Sequence, residues 1–180
     1  MAEAVRLWRR SAGEGNVDAM CSLAVCYAEG TVVEKDPEEA ARLWTQAVDG
    51  GSADAMCNLG LCYEKGKGVE VDLALAARLF MQAADGGNAA GMWCLGRCYE
   101  IGEGVQQDEA AAARLYRQAV EGGDVDAMCS LGACLERGEG VARDVDEAMG
   151  LWRQAAESGS RRALFSLGLR YEKGEGVEMD

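Results

Sequence analysis

A chain that repeats itself every 36 residues without insertion or deletion has few ways to fold, because each period must bury its apolar face against the next. Asp36, Asp72, Asp108, Asp144 and Asp180 mark the period. Aromatic residues keep step at Trp8, Trp44, Phe80, Tyr116 and Trp152, each behind a leucine (Leu7, Leu43, Leu79, Leu115 and Leu151). Glycines recur at Gly30, Gly66, Gly102, Gly138 and Gly174, and again at Gly15, Gly51, Gly87, Gly123 and Gly159. Five periods fill 180 residues, and the expectation is one solenoid domain over 1–180.

Each period reads as two helices. Helix A opens on a capping residue (Asn16, Ser52, Asn88, Asp124 or Ser160) whose side chain accepts a hydrogen bond from a first-turn N–H. Ala55, Leu59, Cys62 and Tyr63 then form a single stripe at helical spacing, and Gly66 closes the helix in the left-handed conformation. Helix B starts after the recurrent aspartate: Asp36-Pro37-Glu38-Glu39 combines an N-cap, a proline at the first helical position and a glutamate three residues on. Ala40, Trp44 and Ala47 form its buried face, and Gly50-Gly51 stops it. Gly60, Gly96, Gly132 and Gly168 fall in the middle of helix A, where glycine costs about 1 kcal/mol relative to alanine. Close approach of a bulky side chain from a neighbouring helix is the expected compensation. About ten antiparallel helices result, an all-α architecture in which helix pairs stack into a superhelical solenoid.

The run Ala55, Leu59, Gly60, Tyr63, Gly66, Gly68, Val69, Asp72, followed by Ala76, Phe80, Ala83, Ala84 and Gly87, resembles the Sel-1-like repeat, a relative of the tetratricopeptide repeat. The likeness covers essentially the whole chain. Departures are few: Val32 stands for the second loop glycine of the first copy, Leu135 for the tyrosine of the fourth helix A, and Arg170 for the recurrent cysteine of the last. The resemblance implies a right-handed superhelix with A helices on its concave side and B helices outside, used as an adaptor in multiprotein assemblies. On that geometry the concave columns give Asp18, Cys21 and Val25; Asp54, Cys57 and Leu61; Ala90, Trp93 and Arg97; Asp126, Cys129 and Ala133; and Arg162, Phe165 and Leu169. The third copy is the odd one, since Trp93 replaces a cysteine and shares a face with Arg97, and these two residue types dominate binding hot spots. A groove formed by Trp93, Arg97, Leu61, Phe165 and Leu169, with Cys57 and Cys129, is therefore the expected site for an extended peptide or a partner helix. The competing reading is that Trp93 fills a gap or packs on Arg97.

Catalysis has little material to work with. Histidine is absent, which removes the commonest general base and the commonest metal ligand. Eight cysteines invite a chemical role, but Cys26, Cys62, Cys98 and Cys134 form one helix-A column and read as small buried hydrophobes. No C-x-x-C pair suggests zinc, and equivalent helices about 8–10 Å apart exceed the ~7 Å Cα limit for a disulfide. A cysteine-rich bacterial branch of the resembled family, some of whose members were associated with penicillin binding, joins helix B to the next helix A by a disulfide. Its helix-B positions are Val48, Ala84, Val120 and Ala156 here, so that bridge cannot form and a reducing compartment is favoured. The Gly-x-Gly-Val loops join helix to helix and lack a Lys-Ser/Thr partner, so they read as turns, not phosphate cradles. Carboxylate pairs such as Glu38 with Glu39 sit at helix N-termini, where they favour the macrodipole. No cofactor or metal is expected.

With 18 Lys and Arg against 31 Asp and Glu, the formal charge of −13 repels phosphate backbones and anionic membrane surfaces and favours a basic or neutral protein or peptide. No stretch approaches the ~18 apolar residues of a membrane span, and no basic segment with an apolar run and cleavage site marks a signal peptide. The sequence begins on a helix B and stops at Asp180, where another should begin, without polar capping copies; a piece of a longer array or end-to-end self-association is expected. A protein-binding scaffold is the leading expectation. An inert or engineered module that assembles end to end comes second, and a cell-wall or lactam hydrolase is remote.

Overall fold

The computed structural model describes residues 2–172 and 174. Ten helices follow in order: α1 (Ala2–Gly13), α2 (Val17–Glu29), α3 (Pro37–Asp49), α4 (Ala53–Lys65), α5 (Leu73–Asp85), α6 (Ala89–Ile101), α7 (Glu109–Glu121), α8 (Val125–Arg137), α9 (Val145–Glu157) and α10 (Arg161–Glu172). No strand occurs among the described residues. Even-numbered helices are the A helices and odd-numbered ones the B helices. Each packs on its chain neighbours, and α4 also packs on α6, which makes an all-α superhelical stack.

The expected caps form. Asn16, Ser52, Asn88 and Asp124 accept from the N–H groups of Ala19, Ala55, Gly91 and Ala127, and Ser160 accepts from Ala163. Asp36, Asp72, Asp108 and Asp144 do the same for the B helices. These aspartates have a second task, since their own N–H groups donate to the carbonyls of Tyr27, Tyr63, Tyr99 and Leu135 and so close each A-to-B loop. Only the backbone of that column is used, which is why Leu135 substitutes without loss of the loop.

The mid-helix glycines meet the expected partners. A Cβ added at Gly60 would lie 2.6 Å from the Phe80 ring, at Gly96 2.6 Å from the Tyr116 ring, and at Gly132 2.5 Å from the Trp152 ring. These aromatics are buried knobs seated on glycine holes, and their burial offsets the conformational cost of glycine. In the first copy the hole is floored by buried Ala24 under Trp44. At Gly168 nothing lies within 4 Å. The loops add a backbone contact between copies: a Cβ at Gly68, Gly104 or Gly140 would fall 2.0 Å from the carbonyl oxygen of Pro37, Leu73 or Glu109, at the first turn of the preceding helix B. Val32 departs from that column; the carbonyl its position would face belongs to Met1, outside the described residues. Among the described residues no helix is long and apolar enough to cross a membrane.

Candidate functional site

The A helices are joined edge to edge by side-chain bonds that run from one copy to the next. Asn88 Nδ2 donates to Asp54 Oδ1 at 2.6 Å, and Cys21 Sγ meets Ser52 Oγ at 3.5 Å. Trp93 Nε1 donates to Ser130 Oγ at 3.1 Å, and Arg162 reaches the same hydroxyl at 3.4 Å. An acidic column runs alongside: Glu64 pairs with Arg97 at 3.5 Å, Glu100 with Arg137 at 3.7 Å, and Glu136 with Arg170. The face along which these bonds run is the A-helix side, which the family resemblance makes the concave wall.

Against this wall the expected site residues separate into three groups. Leu61 and Trp93 both pack on the cluster around Cys57, Cys94 and Phe80, and the Arg97 guanidinium sits 5.1 Å over the Trp93 ring. Trp93 is half-buried and spans the seam between α6 and α8, so it does pack on Arg97, and both are engaged within the protein. Phe165 and Leu169 lie on α10, 68% and 38% exposed, outside that cluster. Cys57 and Cys129 were expected on the open wall and lie beneath it, 6% and 1% exposed. Their sulfurs face the next copy: Cys129 Sγ lies 3.4 Å from Ser160 Oγ, and the Cys57 sulfur accepts a hydrogen bond from the Cys94 thiol.

A groove of about 390 Å³ opens on the wall across α2, α4 and α6, with Val25 and Leu61 at its apolar centre and Ser22, Asn58, Asp54 and Ala90 around them. Asn58 Nδ2 donates to the Asp54 carbonyl at 2.9 Å, which fixes its amide. Ser22 and Asn58 belong to a column, with Ser130 and Ser166, that was not among the expected concave positions. Its signal was there to read: short polar residues in four of five copies inside an otherwise apolar helix.

The thiols carry no disulfide and all eight cysteines are free. Burial pushes Cys98 and Cys134 up to about 11 and raises Cys62, and the hydrogen bond that Cys94 donates to Cys57, together with burial, raises Cys94. The same bond lowers Cys57 against its burial. Burial and then the 2.6 Å hydrogen bond to Glu100 raise Tyr116. A group raised in the folded state stabilises fully below its unfolded value and loses that contribution as pH climbs through the folded one. Unfolded thiols titrate near 8.5 and tyrosine near 10, so the melting temperature falls as pH rises from about 9 to 11. A two-unit shift corresponds to roughly 2.7 kcal/mol at most. Differential scanning calorimetry of the Cys98→Ala protein checks this, and its melting temperature falls less steeply with pH than the parent's. No group of three or more His, Cys, Asp or Glu among the described residues could hold a metal ion.

The Sel1 repeat family profile matches residues 17–52, 53–88, 89–124, 125–160 and 161–180. No curated protein sequence matches significantly. Among solved structures, a protective antigen of uropathogenic Escherichia coli strains displaying an SLR fold is 31% identical with a TM-score of 0.84; the match covers 98% of this chain and 38% of the antigen. A Sel1 repeat protein from Oxalobacter formigenes is 33% identical with a TM-score of 0.84, covering 92% of this chain and 68% of that one. Helicobacter pylori cysteine rich protein B, 24% identical with a TM-score of 0.59 over 77% of this chain and 99% of its own, shares the fold. The chain thus spans well under half of the antigen's length.

Proposed function

Since the chain belongs to the Sel1 repeat family, whose members are generally protein-interaction scaffolds, we propose that it holds an extended segment of a partner protein along its concave wall, centred on Leu61. The observation that carries this reading is the groove across α2, α4 and α6: an apolar centre of Val25 and Leu61 with the exposed Asp54 beside it. An extended peptide presents alternate side chains to such a surface, so an aliphatic residue flanked by a basic one fits its chemistry. The protein's charge of −13 draws the same partner electrostatically. Trp93 and Arg97 share α6 with the groove's Ala90 and are held by Ser130 and Glu64 in a fixed pose, which lowers the ordering cost for a partner that reaches them. The scaffold itself performs no chemistry in this reading.

A photo-crosslinking residue placed at Ala90, exposed in the groove, captures the partner, while one at Arg78 on the outer face does not. Leu61→Glu keeps the helical circular dichroism spectrum and reduces capture at least tenfold, and Trp93→Ala weakens it. Undiminished capture by both folded variants, or capture from Arg78 instead, rules the groove out.

A further inference from the structure

Where α2, α3 and α4 meet, a pocket of about 470 Å³ gathers Lys35, Lys65 and Lys67 around an apolar lining that includes Ala40, Trp44 and Leu61. These are three of the four lysines in a chain of net charge −13, and the fourth, Lys173, lies outside the described residues. Among the described residues Lys35 and Lys67 form no ion pair. Lys65 reaches only the adjacent Glu64, 3.8 Å away and also paired with Arg97 at 3.5 Å. Glu38 is the one acid in the lining, so the pocket holds an excess of two positive charges. The fold supplies its own comparison two periods on, where the same place is lined by Glu100, Gln107, Ala112, Cys134 and Glu139 and measures about 190 Å³. There Glu100 brings a carboxylate into the pocket, accepting from the Tyr116 hydroxyl at 2.6 Å and pairing with Arg137 at 3.7 Å. In the first two copies these three columns hold Ala28, Trp44 and Lys65, so the donors remain and Ala28 supplies no anion.

Trp44 is 5% exposed, and its Nε1 is buried without a hydrogen-bond partner. Trp152, in the same column, donates to the Cys129 carbonyl at 3.4 Å from a pose in which its Nε1 lies 2.5 Å from where Gly132 would carry a Cβ. Ala24 has that carbon, which denies Trp44 the same bond. A buried N–H without an acceptor is costly, and an acceptor brought from outside removes the cost. We infer that this pocket binds a small organic phosphate monoester, with its phosphate among the three lysines in the place that Glu100 takes two copies on, and its organic part against Trp44 and Leu61. Ammonium groups act as point charges and suit a tetrahedral dianion, whereas a planar carboxylate is matched by the fork of arginine, which this lining lacks. The volume is that of a small-molecule site. Lys65 and Lys67 act through their side chains, and the loop between them remains a turn. Asn58 and Leu61 line both this pocket and the concave groove, yet the ligand needs no partner protein in order to bind.

Isothermal titration calorimetry of the chain with phenyl phosphate, benzoate and phenol tests it. Phenyl phosphate binds, and its affinity falls severalfold between about pH 7.5 and pH 5, as the phosphate loses its second charge while the lysines keep theirs. Benzoate binds about tenfold more weakly, and phenol gives no heat. A peptide carrying one phosphoserine binds more weakly than phenyl phosphate. Ala28→Glu places the protein's own carboxylate in the column, melts no lower than the parent and abolishes binding. Lys65→Met together with Lys67→Met weakens binding about tenfold or more, whereas Arg78→Met on the outer face changes nothing. Should Ala28→Glu fail to fold, the lysine variants decide alone. Absence of phenyl phosphate binding overturns the inference, as does benzoate binding equally well. So does parental affinity in the folded Ala28→Glu or double lysine variant. Tighter binding of the phosphoserine peptide, which would assign the phosphate to a partner protein, overturns the small-molecule ligand.

Discussion

Gly96→Leu lowers the melting temperature by about 6–12 °C, the equivalent of roughly 3 kcal/mol for a protein of this size. The first carbon added at Gly96 already falls 2.6 Å from Tyr116 Cε1 and 2.8 Å from Cδ1. The ring cannot swing away, because Tyr116 is fully buried and its hydroxyl donates to Glu100 at 2.6 Å. Removing a glycine from mid-helix returns about 1 kcal/mol, while overpacking costs about 1–3 kcal/mol and breaking a hydrogen bond to a carboxylate about 1.5–3 kcal/mol, so the clash prevails. The same substitution at Gly168, where no atom stands in the way, leaves the melting temperature unchanged or raises it. Thermal denaturation of the two variants side by side isolates the knob-and-hole contact from helix propensity; equal behaviour would refute that account of the glycines.

Gly104→Ala is expected to be as damaging, although it adds one carbon. That carbon would lie 2.0 Å from the Leu73 carbonyl oxygen, and the obstacle is backbone at the first turn of α5, which no rotamer change can move. Gly104 also holds φ +72°, a left-handed conformation that costs a residue with a Cβ about 1–2 kcal/mol. The loop must lift off α5, and a loss of about 3 kcal/mol or more follows from the two effects together. Hydrogen exchange reads the consequence directly: amide protection falls in the loop around Gly104 and at the start of α5, two segments that belong to different copies. Retained protection at both would mean the loop does not brace the preceding helix.

The contacts that were legible in the sequence are those made within one period. Gly96 and Tyr116 are separated by a short loop, and both recur in fixed columns, so hole and knob declare each other. The side chains that cap α2 to α10 follow from their place after a glycine or before an alanine-rich run. The seam between copies was harder to read. Trp93 bonds Ser130, one position beyond the equivalent residue of the next copy, and Cys57 meets Cys94 with the same offset. Comparing equivalent columns sets Cys57 against Trp93 and so misses both contacts. That offset also explains why Cys57 and Cys129 are covered. A column's direction, toward open solvent or toward the next copy, depends on how successive helix pairs tilt, and periodicity alone does not specify tilt. Exposure of Phe165 depends on what adjoins α10, which no column encodes.

The bonds between the A helices differ from junction to junction, whereas Gly60, Gly96 and Gly132 each receive an aromatic ring from within their own period. Excision of residues 89–124 would leave every knob over its own hole, yet it would bring Cys57 to face Ser130 and strip Glu64 of Arg97. Loss of a whole unit therefore preserves the contacts made within each period and rewrites those made between periods.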